Sequence, residues 1–122
     1  MHTVEPHGFD DFARSLAAGE RLANARVSGS IADAVRAPSP GRIAFAIGSA
    51  LFAPGLVVTD AEMRAAMRFA FAELKLVLEP GGAAALAALL TGRYDARGRT
   101  VAVVLSGGNV DDASFGAVIA GA

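Results

Sequence analysis

The chain has 122 residues, 53% of them hydrophobic and 19% charged, with a formal net charge of -1. That length and apolar content suit one modest folded domain and exclude a disordered chain. A near-neutral balance with singly scattered arginines excludes nucleic acid as a main partner, and the lack of cysteine excludes disulfide frameworks and thiolate metal sites.

The apolar share is high for so short a chain, because small domains need polar residues to cover a large surface. The surplus of Ala, Leu and Val predicts that part of the surface meets another piece of protein. The opening MHTVEPHGFDD has neither the basic nor the apolar region of a secretion signal. No apolar run approaches the roughly 18 residues that span a membrane. The expectation is a cytoplasmic protein with no membrane partner.

In chain order, HTVEP reads as the end of a strand closed by Pro6, as if its upstream context were missing. Residues 9 to 18 read as a short helix stopped by Gly19, and a second short helix is expected around Ile31 to Val35. Pro38 and Pro40 bar its continuation. A helix over 42 to 52 and a Pro54-Gly55 turn lead to LVVT, 56 to 59, a short buried strand. Thr59-Asp60-Ala61-Glu62 is a capping box, and apolar residues at helical spacing then predict one long helix from Met63 through Leu78, with Lys75 in its course. Glu79-Pro80-Gly81-Gly82 breaks it, and AAALAALLT forms another helix. VAVVL, 101 to 105, is a continuous apolar run of the kind that forms a parallel strand buried on both faces, and DDASFGAVIAG is a closing helix with acids at its N-terminus. The order predicts an α/β fold with a parallel sheet, whose ligands sit outside the carboxyl ends of strands.

Ser106-Gly107-Gly108-Asn109 stands at such an end. The glycines permit a tight turn and close backbone approach, and Ser106 offers one donor and two acceptor lone pairs. By itself the segment suits either a hydroxyl aimed at a ligand or a serine that caps a turn. It is not a phosphate loop, since neither GxxxxGK[ST] nor GxGxxG is present.

Four segments stand in unbroken order: VEPHGFDD, SIADAV, LVVTDAEMRAAM, and EPGGAAALAAL followed by VAVVLSGGNVD. Together they resemble the C-terminal half of the serine/threonine dehydratase family. Its members, serine racemase among them, are pyridoxal-phosphate enzymes of the tryptophan-synthase-β type. The resemblance implies an incomplete part of the fold type II large domain. It implies that Ser106 bonds the cofactor's pyridine nitrogen, with Gly107, Gly108 and Asn109 in the same loop and Glu79 on the ring side of the pocket. Glu79 also reads as a carboxylate at a helix junction. A neutral hydroxyl leaves the ring nitrogen largely unprotonated, which suits loss of water from a hydroxy amino acid. Asp33-Ala34 stands where many members have Asp-Gly, so the close backbone approach there is altered.

The resemblance further implies that Glu5, Phe9 (by its carbonyl) and Asp11 bind Mg²⁺ or Ca²⁺, ions that take hard oxygen ligands. The same acids, Asp10 or Asp11, also read as N-caps of the first helix. The family's catalytic lysine and the glycine run that cradles the phosphate lie upstream of the matching region. Lys75, the one lysine of the chain, matches no catalytic position. The expectation is therefore a fragment or subunit that is inactive alone, completed by an N-terminal half or a separate chain carrying it, and forming a homo-oligomer. Two other readings stay open: a non-enzymatic regulatory or interaction module, and a divalent-metal-binding domain.

Overall fold

The computed structural model describes residues 1–121. Two short strands, β1 (Val4–Pro6) and β2 (Leu56–Val58), pair in parallel, with Val4 opposite Leu56 and Pro6 opposite Val58. Between them lie α1 (Asp11–Ala18), a 3₁₀ turn (Asp33–Val35) and α2 (Arg42–Leu51). After β2 come α3 (Asp60–Phe69), a π-helical turn (Ala70–Leu74), α4 (Pro80–Leu90) and α5 (Asp112–Ala120). This is the expected α/β layout with a parallel sheet.

Helix starts follow local chemistry. Thr59 and Glu62 form the full capping box: the Thr59 amide donates to Glu62 Oε2 at 2.6 Å and the Glu62 amide to Thr59 Oγ1 at 3.3 Å. Pro80 opens α4 at a position where no intrahelical amide is needed. Asp111 caps α5 by accepting the Ser114 amide at 2.8 Å.

The core lies where α3 packs on α4, with α4 against both strands. Met63, Ala66, Met67 and Ala70 meet Ala83, Ala84, Leu86 and Ala87, all buried, with Val58 and Leu78. Alanines at the contact let the helix axes come close, and the methionines fill what is left. A separate aromatic clamp holds α1 to α2. Phe12 meets Phe45 edge-on and Phe52 at a tilt, with ring centroids 6.3 and 5.8 Å apart. A Cβ on Gly48 would sit 2.7 Å from the Phe12 ring, so only glycine lets the helices approach.

Two expectations need correction. The long helix does not run to Leu78. It ends at Leu74, Lys75 turns left-handed with φ 60°, and the Leu76 amide closes onto the Ala70 carbonyl at 3.0 Å. Leu76, Val77 and Leu78 kept the helical apolar pattern going on paper, but a tertiary bond decides otherwise: the Glu79 amide donates to the Gly107 carbonyl at 3.0 Å. Nor is VAVVL a strand of the sheet. Residues 101–105 belong to no strand and no helix, although Val103 and Leu105 pack against the core. A strand is defined by its ladder, and this segment has no neighbour to pair with among the described residues.

Candidate functional site

The Gly107–Gly108 pair is pressed against the segment joining the π-helical turn to α4. A Cβ on Gly82 would lie 2.5 Å from the Gly107 carbonyl oxygen, one on Gly108 would lie 2.6 Å from the Val77 carbonyl oxygen, and one on Gly107 would collide with the Glu79 carboxylate. Gly82 and Gly108 are therefore required by close contact with backbone, whereas the group facing Gly107 is the end of the flexible Glu79 side chain. This junction places Ser106 at the end of the extended segment 101–105 and Glu79 at the N-cap of α4.

Two concavities flank the junction. The larger, about 710 Å³, is lined by Ser106 together with Val4, Leu56, Gly81, Ala84 and residues 100–104. The smaller, about 450 Å³, is lined by Glu79 and Asn109, with Asp33, Arg64, Asp111 and Ser114. The residues expected in one pocket thus divide between two sides of the glycine pair. Ser106 is exposed, and its hydroxyl bonds to no other group among the described residues, so it is available to a ligand. Glu79 does not cap α4 with its side chain, which removes the helix-junction reading and leaves its carboxylate over Gly107. Arg64 and Ser114 had no signal in the sequence; they share the smaller concavity because α3 and α5 pack side by side.

The Glu5, Phe9 and Asp11 segment is built differently from a metal site. Both Glu5 oxygens accept amides at the start of α1, from Phe12 at 2.9 Å and Ala13 at 2.7 Å. Asp11 Oδ1 accepts from Asn24 at 2.6 Å, and Phe9 is buried. Neither Asp10 nor Asp11 caps the helix; Glu5, from the middle of β1, does so in their place. Burial pushes the Glu5 carboxyl up to about 7 against the pull of those two amides, and burial raises Asp11 as well. Among the described residues no group of three or more His, Cys, Asp or Glu side chains is arranged to hold a metal ion. The donors present are committed to α1 and Asn24, so they do not fit Mg²⁺ or Ca²⁺ as they stand.

Lys75 lies away from both concavities, its Nζ donating to the Ala72 carbonyl at 2.6 Å. No lysine lines either concavity.

A family described as pyridoxal-phosphate dependent enzyme matches residues 1–107. The chain belongs to this family. Relatives of the chain include the L-threo-3-hydroxyaspartate ammonia-lyase of Pseudomonas sp, 32% identical over 99% of this chain and 38% of its own length. The phenylserine dehydratase of Ralstonia pickettii is 38% identical over 92% of this chain and 34% of its own. Among solved structures, maize serine racemase superposes with a TM-score of 0.82 at 31% identity, covering 98% of this chain and 38% of that one. A threonine deaminase from T.th. gives 0.81 at 39% identity, covering 88% and 36%. The chain thus spans little more than a third of the relatives it matches.

Proposed function

We propose that the chain forms the ring-nitrogen wall of a pyridoxal-phosphate site in a dehydratase acting on a hydroxy amino acid, and that it works only together with a portion carrying the Schiff-base lysine and the phosphate cradle. The observation that carries this reading is the free Ser106 hydroxyl, set on the rim of the larger concavity by the bond between Glu79 and Gly107. The dehydratases, ammonia-lyases and racemases among its relatives support it.

When bound, pyridoxal phosphate supplies an electron sink for the bond broken at the amino acid's α-carbon. The residues of this chain hold and tune. Ser106 donates a neutral hydrogen bond to the ring nitrogen, which keeps that nitrogen from being held protonated as a carboxylate would hold it. Gly107 and Gly108 bring the loop backbone up to the α4 junction, so that Ser106 has one position. Glu79 and Asn109 border the loop from the other side.

The test joins the lysine-bearing N-terminal portion of a related dehydratase ahead of Met1 and measures cofactor affinity by titration. A neutral hydrogen bond is worth roughly 0.5–1.5 kcal/mol, so Ser106→Ala is expected to weaken cofactor binding by up to about tenfold. Ser106→Asp is expected to hold the ring nitrogen protonated and raise racemisation relative to dehydration. Unchanged affinity and product ratio in both variants of an active chimera would leave SGGN as a turn and overturn the reading.

A further inference from the structure

Residues 19–41 join α1 to α2 with no helix or strand other than the 3₁₀ turn at Asp33–Val35. A connection of that length without regular structure needs ties of its own. Several of them meet at Asn24. Its backbone N–H donates to the Pro38 carbonyl at 2.8 Å. Its Nδ2 donates to Asp11 Oδ1 at 2.6 Å and to the Ala37 carbonyl at 2.8 Å, and its Oδ1 accepts from the Arg14 guanidinium at 2.6 Å. The nitrogen thus faces two oxygens and the oxygen faces a donor. Turned the other way, the amide would set oxygen against oxygen and nitrogen against nitrogen, so the network admits one orientation.

The oxygens around Nδ2 are of the kind that a hard cation takes. One belongs to the carboxylate of Asp11, a residue only 3% exposed, and the other is a backbone carbonyl. Mg²⁺ and Ca²⁺ draw on these two oxygen types at about 2.0–2.6 Å. Nδ2 stands little farther out, at 2.6 and 2.8 Å, and offers them two N–H bonds in place of an ion. The carboxylate charge is answered from the other end of the same amide by Arg14, whose guanidinium also lies 3.6 Å from the Asp10 carboxylate. Glu5 has both oxygens bonded to the amides of Phe12 and Ala13.

We infer that Asn24 stands in for a divalent cation in this chain: its side-chain amide bridges the Asp11 carboxylate to the Ala37 carbonyl, so that α1 and the following loop are held together without Mg²⁺ or Ca²⁺. The acids that the resemblance assigns to a metal are thereby satisfied from within the chain. The bridge acts on the turn that follows the loop. Ala37 lies two residues beyond the 3₁₀ turn, which presents Asp33 to the smaller concavity and Val35 to the larger. Asn24 itself lines neither concavity; it is a positioning residue. The inference goes beyond the proposed function and does not depend on the role of Ser106.

The experiment follows thermal melts of the full chain, of Asn24→Ala, and of Asn24→Ala combined with Asp11→Asn. Each is melted in millimolar magnesium or calcium chloride and in sodium chloride of equal ionic strength. Neither divalent salt is expected to move the native chain. Asn24→Ala leaves a buried carboxylate without its donor and should melt at least about 4 °C lower. One of the two divalent salts should regain at least about half of that loss, because a cation can then take the oxygens the amide held and binds only the folded state. With Asp11→Asn also in place the regain should vanish. A native chain that melts higher in either divalent salt would show the ion displacing the amide and would overturn the inference. So would an Asn24→Ala chain that melts like the native one, or a regain that survives Asp11→Asn. A loss that neither salt reduces would also overturn it and leave Asn24 a loop tether. Asn24→Asp keeps the size of the side chain and its contact with Arg14, and serves where the alanine variant does not fold. It sets a second carboxylate against Asp11, so it should melt higher in magnesium or calcium chloride than in sodium chloride, and the lack of any rise would equally defeat the assignment.

Discussion

The amide of Glu79 donates to the carbonyl of Gly107 at 3.0 Å, and this one bond ties the start of α4 to the loop that carries Ser106. The contact is backbone against backbone, with no room for a methyl group. Gly82→Ala would place its Cβ 2.5 Å from the Gly107 oxygen and 2.8 Å from the Gly107 nitrogen. Neither atom belongs to a flexible side chain, so the loop must move. Overpacking of this kind costs typically about 1–3 kcal/mol. The urea midpoint of Gly82→Ala is expected to fall accordingly, while Gly116→Ala, where nothing lies within 4 Å of the added Cβ, should leave it unchanged or raised. Equal midpoints for the two variants would mean that the close approach does not exist in solution.

The capping box at Thr59 gives a second, local handle. Thr59→Ala removes the acceptor for the Glu62 amide and is expected to cost about 1 kcal/mol. Glu62 also accepts from Arg93 at 2.8 Å, and its carboxyl is held below its ordinary value, first by the Thr59 amide and then by Arg93. A depressed acid contributes stability above its unfolded pKa and loses it as pH falls through the folded one. Thermal melts of Thr59→Ala and Arg93→Ala near neutral pH should show the first variant lowered clearly and the second by a few tenths of a kcal/mol at most, as for an exposed pair. The reverse order would mean that the ion pair holds the turn.

Much of this fold could be read from local residues. Thr59, Pro80 and Asp111 mark helix starts because a cap or a fixed φ acts within three residues. The end at Leu74 was hidden because the bond that extends the following residues comes from Gly107, more than two dozen positions away. VAVVL has the composition of a buried strand, yet composition carries no information on whether a partner strand is present. Of the candidate site, Ser106 was legible as the first side chain beyond an apolar run. Its separation from Glu79 and Asn109 was not, because it arises from three glycines meeting in space. The role of Glu5 was hidden for the same reason, since it caps a helix whose amides lie seven and eight residues ahead.

Glu5 sets an acid-side pH dependence of unusual sign. Its carboxyl stands at about 7 in the folded chain against an ordinary 4.5, with burial as the first cause. An acid raised in this way binds more protons folded than unfolded between those values, so stability falls as pH rises from about 4.5 to about 7. Asp11, raised by burial too, acts in the same direction from a lower starting point. Solvent still reaches the Glu5 carboxyl, which reduces the effect to about 1 kcal/mol. Urea midpoints measured across that window should decline in the native chain and decline less in Glu5→Gln, which keeps one acceptor for the amides of α1 but does not titrate. An equal decline in both would assign the effect to another group.

The outer face of α2 carries the last prediction. Phe45, Gly48 and Phe52 turn inward to Phe12, which leaves Ile43, Ile47 and Leu51, one helical turn apart, exposed by 79%, 50% and 69%. Three aliphatic side chains in a row on one face form a contiguous apolar strip, and strips of this kind drive association. The chain alone is expected to self-associate or to bind dyes that report apolar surface. Ile47→Lys, at the centre of the strip, should reduce both without lowering the melting temperature, because the side chain makes no core contact and lysine is a good helix former. The same substitution at Ile31, which packs against the core, should lower the melting temperature instead. If Ile47→Lys leaves association and dye binding unchanged, the strip is not the adhesive face, and the open backbone of residues 101–105 becomes the region to alter next.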